Sequence, residues 1–475
     1  MGQRCRSRSR IVLVPFPAQG HVSPMLHLAR LLHARGLDVT VVTPDFIHRR
    51  LVAAAGAGGG CRFVSIPSGL DAEGDATPEF AAIELAMENH MPAHLERLLL
   101  PPPAPEAAEE EEEEAAVACV VVDLLASWAI PVAKRCGVHV AGFWPAMLAT
   151  FRIISAIPEL IHRGLISEYG SPLNHQAEYS QQEQVVAEES LTLSGQAKLS
   201  TKELPWLVGN PATQRSRFIF WLRVLERAKS VQYLLVNSFP DEAGHQREQS
   251  SHQHHPRPLP IGPLMLAHRT TNISMWEADR SCLRWLQQHP PGSVVYVSFG
   301  SWVAPLSPES IAEIALGLEA AGRPFLWVLK EGDSWRAGLP RGFPGNLPGK
   351  IVSWAPQEEV LRSPAVGCYL THCGWNSTLE AIQYEKRLLC HPVAGDQFVN
   401  AAFIVKVWGI GAMLDGAGRS AVEDGIRRAM ESDEGEEMQA SVERLRRRVM
   451  GDGEGSSEAV GNLQCFLDQM KQNMQ

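Results

Sequence analysis

Residues Trp354 to Gln397, WAPQEEVLRSPAVGCYLTHCGWNSTLEAIQYEKRLLCHPVAGDQ, constrain this chain more than any other stretch. Val366-Gly-Cys-Tyr-Leu-Thr371 is a short apolar run suited to a buried parallel strand. His372-Cys-Gly374 then reads as a turn, and Asn376-Ser377 as caps of a helix running on through Thr378, Leu379 and Glu380. A strand, a glycine turn and a helix start place free N–H groups and the positive end of a helix dipole above one point, where a diphosphate fits. An ordinary strand-to-helix turn capped by Asn376 accounts for the same residues equally well.

The whole 44-residue block closely resembles the signature box of plant family 1 UDP-glycosyltransferases. The Trp-Ala-Pro-Gln start, the His-Cys-Gly-Trp-Asn-Ser centre and the Asp-Gln end all stand at the family's spacing. The resemblance implies that Trp354 stacks on uracil, with Ala355 and Gln357 beside the base and ribose. Glu380 would accept from ribose hydroxyls, and His372, Asn376 and Ser377 would hold the diphosphate. Trp375, Asp396 and Gln397 would contact sugar hydroxyls. Each role suits its side chain: an aromatic plane for a base, a carboxylate for a diol, donors for phosphate oxygens.

The N-terminal half reads as a doubly wound α/β domain. Ile11-Val-Leu-Val-Pro-Phe16 predicts a strand, residues 23–33 a helix with Pro24 in its first turn, and Leu37-Asp-Val-Thr-Val-Val-Thr43 a second strand. A further strand over 119–122, a helix over 127–136 and a strand over 139–143 continue an alternation that implies a parallel sheet. Ligands of such sheets sit beyond the carboxyl ends of the strands. His21, in the loop after the first strand, and Asp123, closing another, lie there. On the residues alone, one loop histidine among 17 is most simply a surface residue and a strand-closing aspartate a helix cap. Pro15-Phe-Pro-Ala-Gln-Gly-His-Val-Ser-Pro-Met-Leu26, however, resembles the family's N-terminal motif, which implies a catalytic base at His21 and its orienting partner at Asp123. Residues 123–138 and Phe143-Trp144 continue the family pattern. Pro145 departs from it, where some members carry a threonine that touches the donor sugar.

The resemblance covers nearly the full chain and implies a GT-B fold: two doubly wound domains facing a cleft. The expected organisation is an acceptor-binding domain over 1–245, a linker over 246–260 and a UDP-sugar-binding domain over 261–453. A last helix, 454–475, is expected to pack back on the first domain. Ser301, in the Gly300-Ser301 turn after a strand, would lie near the diphosphate. Gln397 and Trp375 go with UDP-glucose as donor, an arginine at the latter position with a glucuronate. The implied reaction inverts an α-linked UDP-sugar to a β-glucoside on a hydroxylated, apolar small acceptor, as in plant secondary metabolism. Leaving UDP would be stabilised by the helix start and His372, with no metal and no cofactor. One departure lies within the block: most members have a Gly-Val-Pro turn where this chain has Glu385-Lys386-Arg387. Either the turn surface alone changes, or the strand that delivers Asp396 moves.

Composition excludes other classes. At 475 residues and 45% hydrophobic, the chain has material for two domains. The most apolar stretch, 117–133, is broken by Asp123 and Pro131, and the apolar segment after the four N-terminal arginines is too short for a signal peptide. Nine scattered cysteines argue for a reducing compartment, the cytoplasm. No Asp-x-Asp or zinc spacing occurs, and a net charge of −10 is no nucleic-acid footprint. Glu106 and residues 109–114, among prolines, predict a solvated loop; 174–197 and 245–260 predict polar connectors. An aromatic patch at Trp206, Phe218, Phe220 and Trp221 is either core or acceptor wall. Two other readings stand beside the transferase: a non-catalytic nucleotide-sugar-binding protein on the same fold, and an NAD-dependent oxidoreductase. The latter lacks its Gly-x-Gly-x-x-Gly turn, since Phe16-Pro-Ala-Gln-Gly-His21 has one glycine.

Overall fold

The computed structural model describes residues 10–55, 60–70, 78–100, 116–173, 190–191, 199–240, 242, 257–264, 275–301, 306–332, 336–345, 347–451 and 453–472. The acidic run at 109–114, most of 174–197 and the histidine-rich stretch 250–256 lie outside them.

Among the described residues nine strands precede residue 261: β1 Arg10–Val14, β2 Asp38–Pro44, β3 Arg62–Ile66, β4 Val117–Asp123, β5 His139–Trp144, β6 Ser190–Leu191, β7 Leu199–Ser200, β8 Tyr233–Val236 and β9 Pro258–Pro260. All but β6 and β7, which pair antiparallel with each other, join one parallel sheet in the order β3-β2-β1-β4-β5-β8-β9. Six more follow: β10 Val294–Ser298, β11 Phe325–Val328, β12 Gly349–Val352, β13 Val366–Thr371, β14 Arg387–Cys390 and β15 Gly411–Met413. They make a second parallel sheet, β12-β11-β10-β13-β14-β15. Central strands such as Val-Ala-Cys-Val-Val-Val-Asp are near-continuous β-branched runs because helices cover both faces of a parallel sheet. The covering helices carry the expected signals. In Pro308–Ala321, the Ser307 hydroxyl accepts from the Ser310 N–H, Pro308 opens the first turn and Gly322 closes the helix at φ 63°.

In both sheets the strand order reverses once: between β1 and β4, and between β10 and β13. At such a point the loops leave in opposite directions and open a crevice at the carboxyl ends. The turn holding His21 and the end of β4 at Asp123 flank the first crevice. The Gly300-Ser301 and His372–Gly374 turns flank the second.

The two sheets are joined by an aromatic cluster. Phe239 packs on Trp375 and Trp408 at centroid distances of 6.2 and 5.6 Å, and Phe403 packs on Trp408 at 5.6 Å. The Trp375 indole N–H donates to the Asn237 carbonyl (2.7 Å) and that of Trp408 to the Glu242 carbonyl (2.8 Å). The last helix, Glu454–Gln472, turns one stripe (Ala459, Leu463, Phe466, Leu467, Met470) inward. It returns to the first sheet: Phe466 meets Tyr233 edge-on at 5.6 Å, and the Asn462 amide donates to the Pro260 carbonyl at the end of β9.

Three expectations change. The first helix is Gln19–Ala34, four residues earlier than predicted, so His21 lies in its first turn, not in a loop. Residues 258–260, allotted to the linker, add an edge strand to the first sheet, where prolines are tolerated because one side needs no ladder bond. Gly374, not Asn376 or Ser377, occupies the cap of the helix Trp375–Gln383.

The Glu385–Arg387 departure leaves the sheet intact. β14 pairs with β13 from Arg387↔Cys368 to Cys390↔Thr371 in unbroken register. Lys386 is buried and its ammonium donates to the Ser363 and Val366 carbonyls, while the Arg387 guanidinium donates to the Gly367 carbonyl. Burial lowers the Lys386 pKa to about 8. Glu385 itself sits at φ 55°, a left-handed conformation that costs a non-glycine residue about 1–2 kcal/mol. Its exposed pairing with Arg446 (3.3 Å) offsets little of that. Glu385→Gly is therefore expected to stabilise by about 1 kcal/mol, raising the unfolding midpoint of the second domain by about 2–4 °C in calorimetry. An unchanged or lower midpoint would show that the Arg446 contact outweighs the backbone strain.

Candidate active site

On the first sheet's side, Ala18 is extended and its carbonyl accepts from the N–H groups of His21 (2.9 Å) and Val22 (2.8 Å), starting the helix that carries His21. The His21 Nδ1 lies 2.8 Å from Asp123 Oδ2, and Asp123 Oδ1 accepts from the Leu125 N–H at 2.9 Å. Asp123 is fully buried; the His21 side chain is 22% exposed. A carboxylate accepting at Nδ1 fixes the tautomer with its proton there and leaves Nε2 with a lone pair. Nε2 has no hydrogen-bond partner among the described residues.

Opposite lies the start of the helix Trp375–Gln383. Its cap, Gly374, has no side chain, so the N–H groups of Trp375, Asn376 and Ser377 have no partner among the described residues, while the Thr378 N–H donates to the Gly374 carbonyl. Cys373 precedes it at φ 65°. The His372 ring is wedged between two turns: a Cβ on Gly300 or Gly374 would lie 2.5 or 2.4 Å from its Nε2. Both positions therefore require glycine, and Gly300 also has φ 80°. Burial drives the His372 pKa down to about 4, so it faces the helix start as a neutral imidazole. Ser301 is half-buried beside it, its carbonyl accepting from the Lys330 ammonium at 2.9 Å.

Asp396 and Gln397 follow β14. Gln397 Oε1 accepts from the Val393 and Ala394 N–H groups (2.8 and 3.0 Å), which leaves its NH₂ for a ligand. Asp396 accepts from the Asn400 amide at 3.0 Å; burial raises its pKa, partly offset by the charge of His21.

A third group lies deeper. Trp354 is half-buried, with its ring 6.0 Å from that of Trp276, and Ala355 beside it is buried. Gln357 Nε2 donates to Ser377 Oγ (3.0 Å) and Glu380 Oε2 (2.6 Å), and its Oε1 accepts from the hydroxyls of Tyr296 (3.0 Å) and Tyr369 (3.1 Å). Burial lifts the Glu380 carboxyl to about 7 against the opposing effect of the Gln357 bond.

Over 466 residues the chain is 47% identical to UDP-glycosyltransferase 82A1 of Arabidopsis thaliana, covering 94% of this chain and 95% of that relative. The chain belongs to the plant family 1 UDP-glycosyltransferases. The family model described as UDP-glucoronosyl and UDP-glucosyl transferase matches residues 258–431, and that of the glycosyltransferase N-terminal domain matches 8–57. The DIMBOA UDP-glucosyltransferase BX8 of Zea mays is 33% identical over 477 residues, covering 97% of this chain and 94% of its own. Among solved structures, Os79 of O. sativa in complex with UDP superposes with a TM-score of 0.75 at 26% identity, covering 96% of this chain and 99% of that one. Phytolacca americana UGT2, complexed with UDP-2fluoro-glucose and pterostilbene, gives 0.77 at 24% identity, covering 98% and 100%. The architecture is thus GT-B, and the chain is a UDP-glycosyltransferase.

Against the roles that membership implied, three side chains stand elsewhere. The Trp375 indole is 4% exposed and its N–H is committed to Asn237, so the ring belongs to the domain interface and cannot reach a sugar hydroxyl as placed. The Asn376 amide donates to the Gly20 carbonyl at 3.0 Å, because Pro24 has no N–H to offer that carbonyl four residues back. Its backbone N–H, not its amide, is what faces the cleft free. Gln357 spends all its polar capacity inside the protein, so it positions Glu380 and Ser377 and does not itself face a base or ribose. Sequence reasoning missed Trp276, Tyr296 and Tyr369. The two tyrosines face each other in register on β10 and β13, and their hydroxyls in apolar runs were the available signal of a buried polar partner. For Trp276 no sequence signal existed. Among the described residues no group of three or more His, Cys, Asp or Glu is placed to hold a metal ion, and no helix is long and apolar enough to cross a membrane.

Proposed function

We propose that the enzyme transfers glucose from UDP-glucose to a hydroxyl of a small apolar acceptor with inversion, giving a β-glucoside. The observation that carries this reading is the His21–Asp123 pair, 2.8 Å apart, opening onto the unpaired helix start and Asp396–Gln397. The acceptor lies in the first domain and the donor mainly in the second. His21 Nε2 takes the acceptor proton as the hydroxyl oxygen attacks the anomeric carbon from the face opposite UDP. The bond from that carbon to the diphosphate oxygen breaks as the new one forms. Asp123 stabilises the resulting imidazolium. Charge on the departing diphosphate is met by the N–H groups of Trp375, Asn376 and Ser377, by neutral His372 and by Ser301, with no metal. Uracil lies against Trp354 and Ala355, the ribose diol on Glu380, and the sugar hydroxyls on Asp396 and the Gln397 amide. The named substrates of the relatives, a maize UDP-glucosyltransferase and a complex with a UDP-fluoroglucose, support the choice of glucose. The cytoplasm is the proposed compartment; the eight described cysteines are all free.

Calorimetric titration with UDP-glucose, UDP-galactose and NADH tests the donor. Selective UDP-glucose binding is expected, followed by transfer to 2-naphthol in the presence of chelator, with the large anomeric proton coupling of a β-linkage in NMR. Donor binding with neither transfer nor hydrolysis would favour a non-catalytic protein. An α-product or NADH binding would overturn the reading.

A further inference from the structure

The helix Pro211–Ala228 carries four arginines, and they are not equivalent. Arg223 is paired with Glu84, Arg227 with Glu88 at 2.7 Å, and Arg215 lies exposed over Tyr169 at 4.0 Å. Arg217 is half-buried and has no carboxylate partner among the described residues. Its guanidinium rests over the Phe80 ring at 5.0 Å, and its Nε is buried without a hydrogen bond. Burial lowers its pKa and no neighbouring negative charge restores it.

The surroundings of Arg217 lead to the catalytic pair. Phe80 meets Phe220 edge-on at 5.2 Å and Phe16 at 6.1 Å; Phe16 meets the His21 ring at 5.1 Å. Phe220 and Trp221, three and four residues after Arg217, share its face of the helix and lie 5.8 Å apart. A chain of rings, Phe16 and Phe220 buried and Phe80 half-buried, therefore runs from the base to a guanidinium that is partly stripped of water. A cation over one ring recovers only part of the hydration it has lost. A planar fork of donors left in that state fits a carboxylate, which it can take bidentately.

The geometry points to an acceptor that is an aromatic carboxylic acid: hydroxyl at His21, ring along Phe80, carboxylate on Arg217. This rests on the proposed function, because it takes the space beside His21 as the acceptor site. Arg217 would select for substrate charge and take no part in the chemistry.

The test reads binding, so that it does not depend on turnover. Wild-type protein with UDP is titrated with 4-hydroxybenzoate, 6-hydroxy-2-naphthoate and 4′-hydroxybiphenyl-4-carboxylate, each beside its methyl ester, following tryptophan fluorescence and heat. At least one acid is expected to bind about tenfold or more tighter than its ester, the increment of a charge-assisted pair. Arg217→Gln should bring that ratio to about one, Arg217→Lys should keep part of it, and Arg215→Gln should leave it intact. Equal binding of acid and ester, binding of neither, or a ratio that survives Arg217→Gln would overturn the inference. Transfer to 2-naphthol without any acid preference would do so while leaving the proposed function standing; failure to bind UDP-glucose would count against that function itself.

Discussion

His21→Ala is expected to lower turnover by about 10²–10⁴-fold while UDP-glucose affinity stays within about a factor of two. The size of the loss is that of general-base catalysis. The separation between turnover and affinity follows from the geometry. His21 is anchored from behind by a fully buried carboxylate at 2.8 Å, and its Nε2 has no hydrogen-bond partner among the described residues. In the proposed function the donor's nucleotide portion falls to Trp354, Glu380 and the start of the helix Trp375–Gln383, all on the second sheet's side. Asp123→Asn should give a comparable loss in turnover: the Leu125 N–H holds the amide oxygen, so the NH₂ faces Nδ1 and the ring proton moves to Nε2, where a base needs its lone pair. Single-turnover rates together with donor titrations measure both quantities. Parallel loss of affinity and turnover in His21→Ala would place His21 in donor binding and remove it as the base.

The parts of this enzyme readable from sequence are those set by local chemistry. Parallel strands buried on two faces must be apolar runs, so β1, β4, β10 and β13 announce themselves. The switch point of a parallel sheet makes His21 and Asp123 candidates by position, and the resemblance of residues 15–26 to the family's N-terminal motif is what singles them out. What stayed hidden is decided by contacts between distant segments. Pro24 reads as a helix start because proline suits a first turn, yet the helix begins at Gln19. The carbonyl that Pro24 leaves without a helix donor is served by Asn376, 356 residues away. Pro258 and Pro260 argue against a strand until β8 is seen to offer them an edge. Trp375 looks like a ligand residue by type, but its position between Phe239 and Trp408 is a property of how the domains meet. Arg217 is ordinary in the sequence, and only the pairing of its helix neighbours with Glu84 and Glu88 marks it out.

Glu380→Gln is expected to weaken UDP-glucose binding by about 10- to 100-fold while making the unliganded protein more stable at pH 8. Both effects come from one burial. Removal from water lifts the Glu380 carboxyl to about 7, so its ionisation costs free energy in the folded state that the unfolded chain does not incur. The sign follows: the group's favourable contribution is fully present below the ordinary carboxylate range and is lost as pH rises through about 7. A glutamine keeps the bond with Gln357, by accepting at its oxygen, and has no charge to desolvate. Wild type and variant should therefore melt together near pH 4 and diverge by about 1–3 kcal/mol in the variant's favour at pH 8, the lower end reflecting the solvent that still reaches the side chain. Binding reverses the order, because a carboxylate accepts from the two ribose hydroxyls more strongly than an amide, by about 1 kcal/mol for each bond. Donor affinity of the wild type should rise with pH through about 7, and that of the variant should stay flat. A variant that melts below wild type at pH 8 would mean that Glu380 is ionised at little cost. A variant that binds UDP-glucose as tightly as wild type would mean that the ribose lies elsewhere.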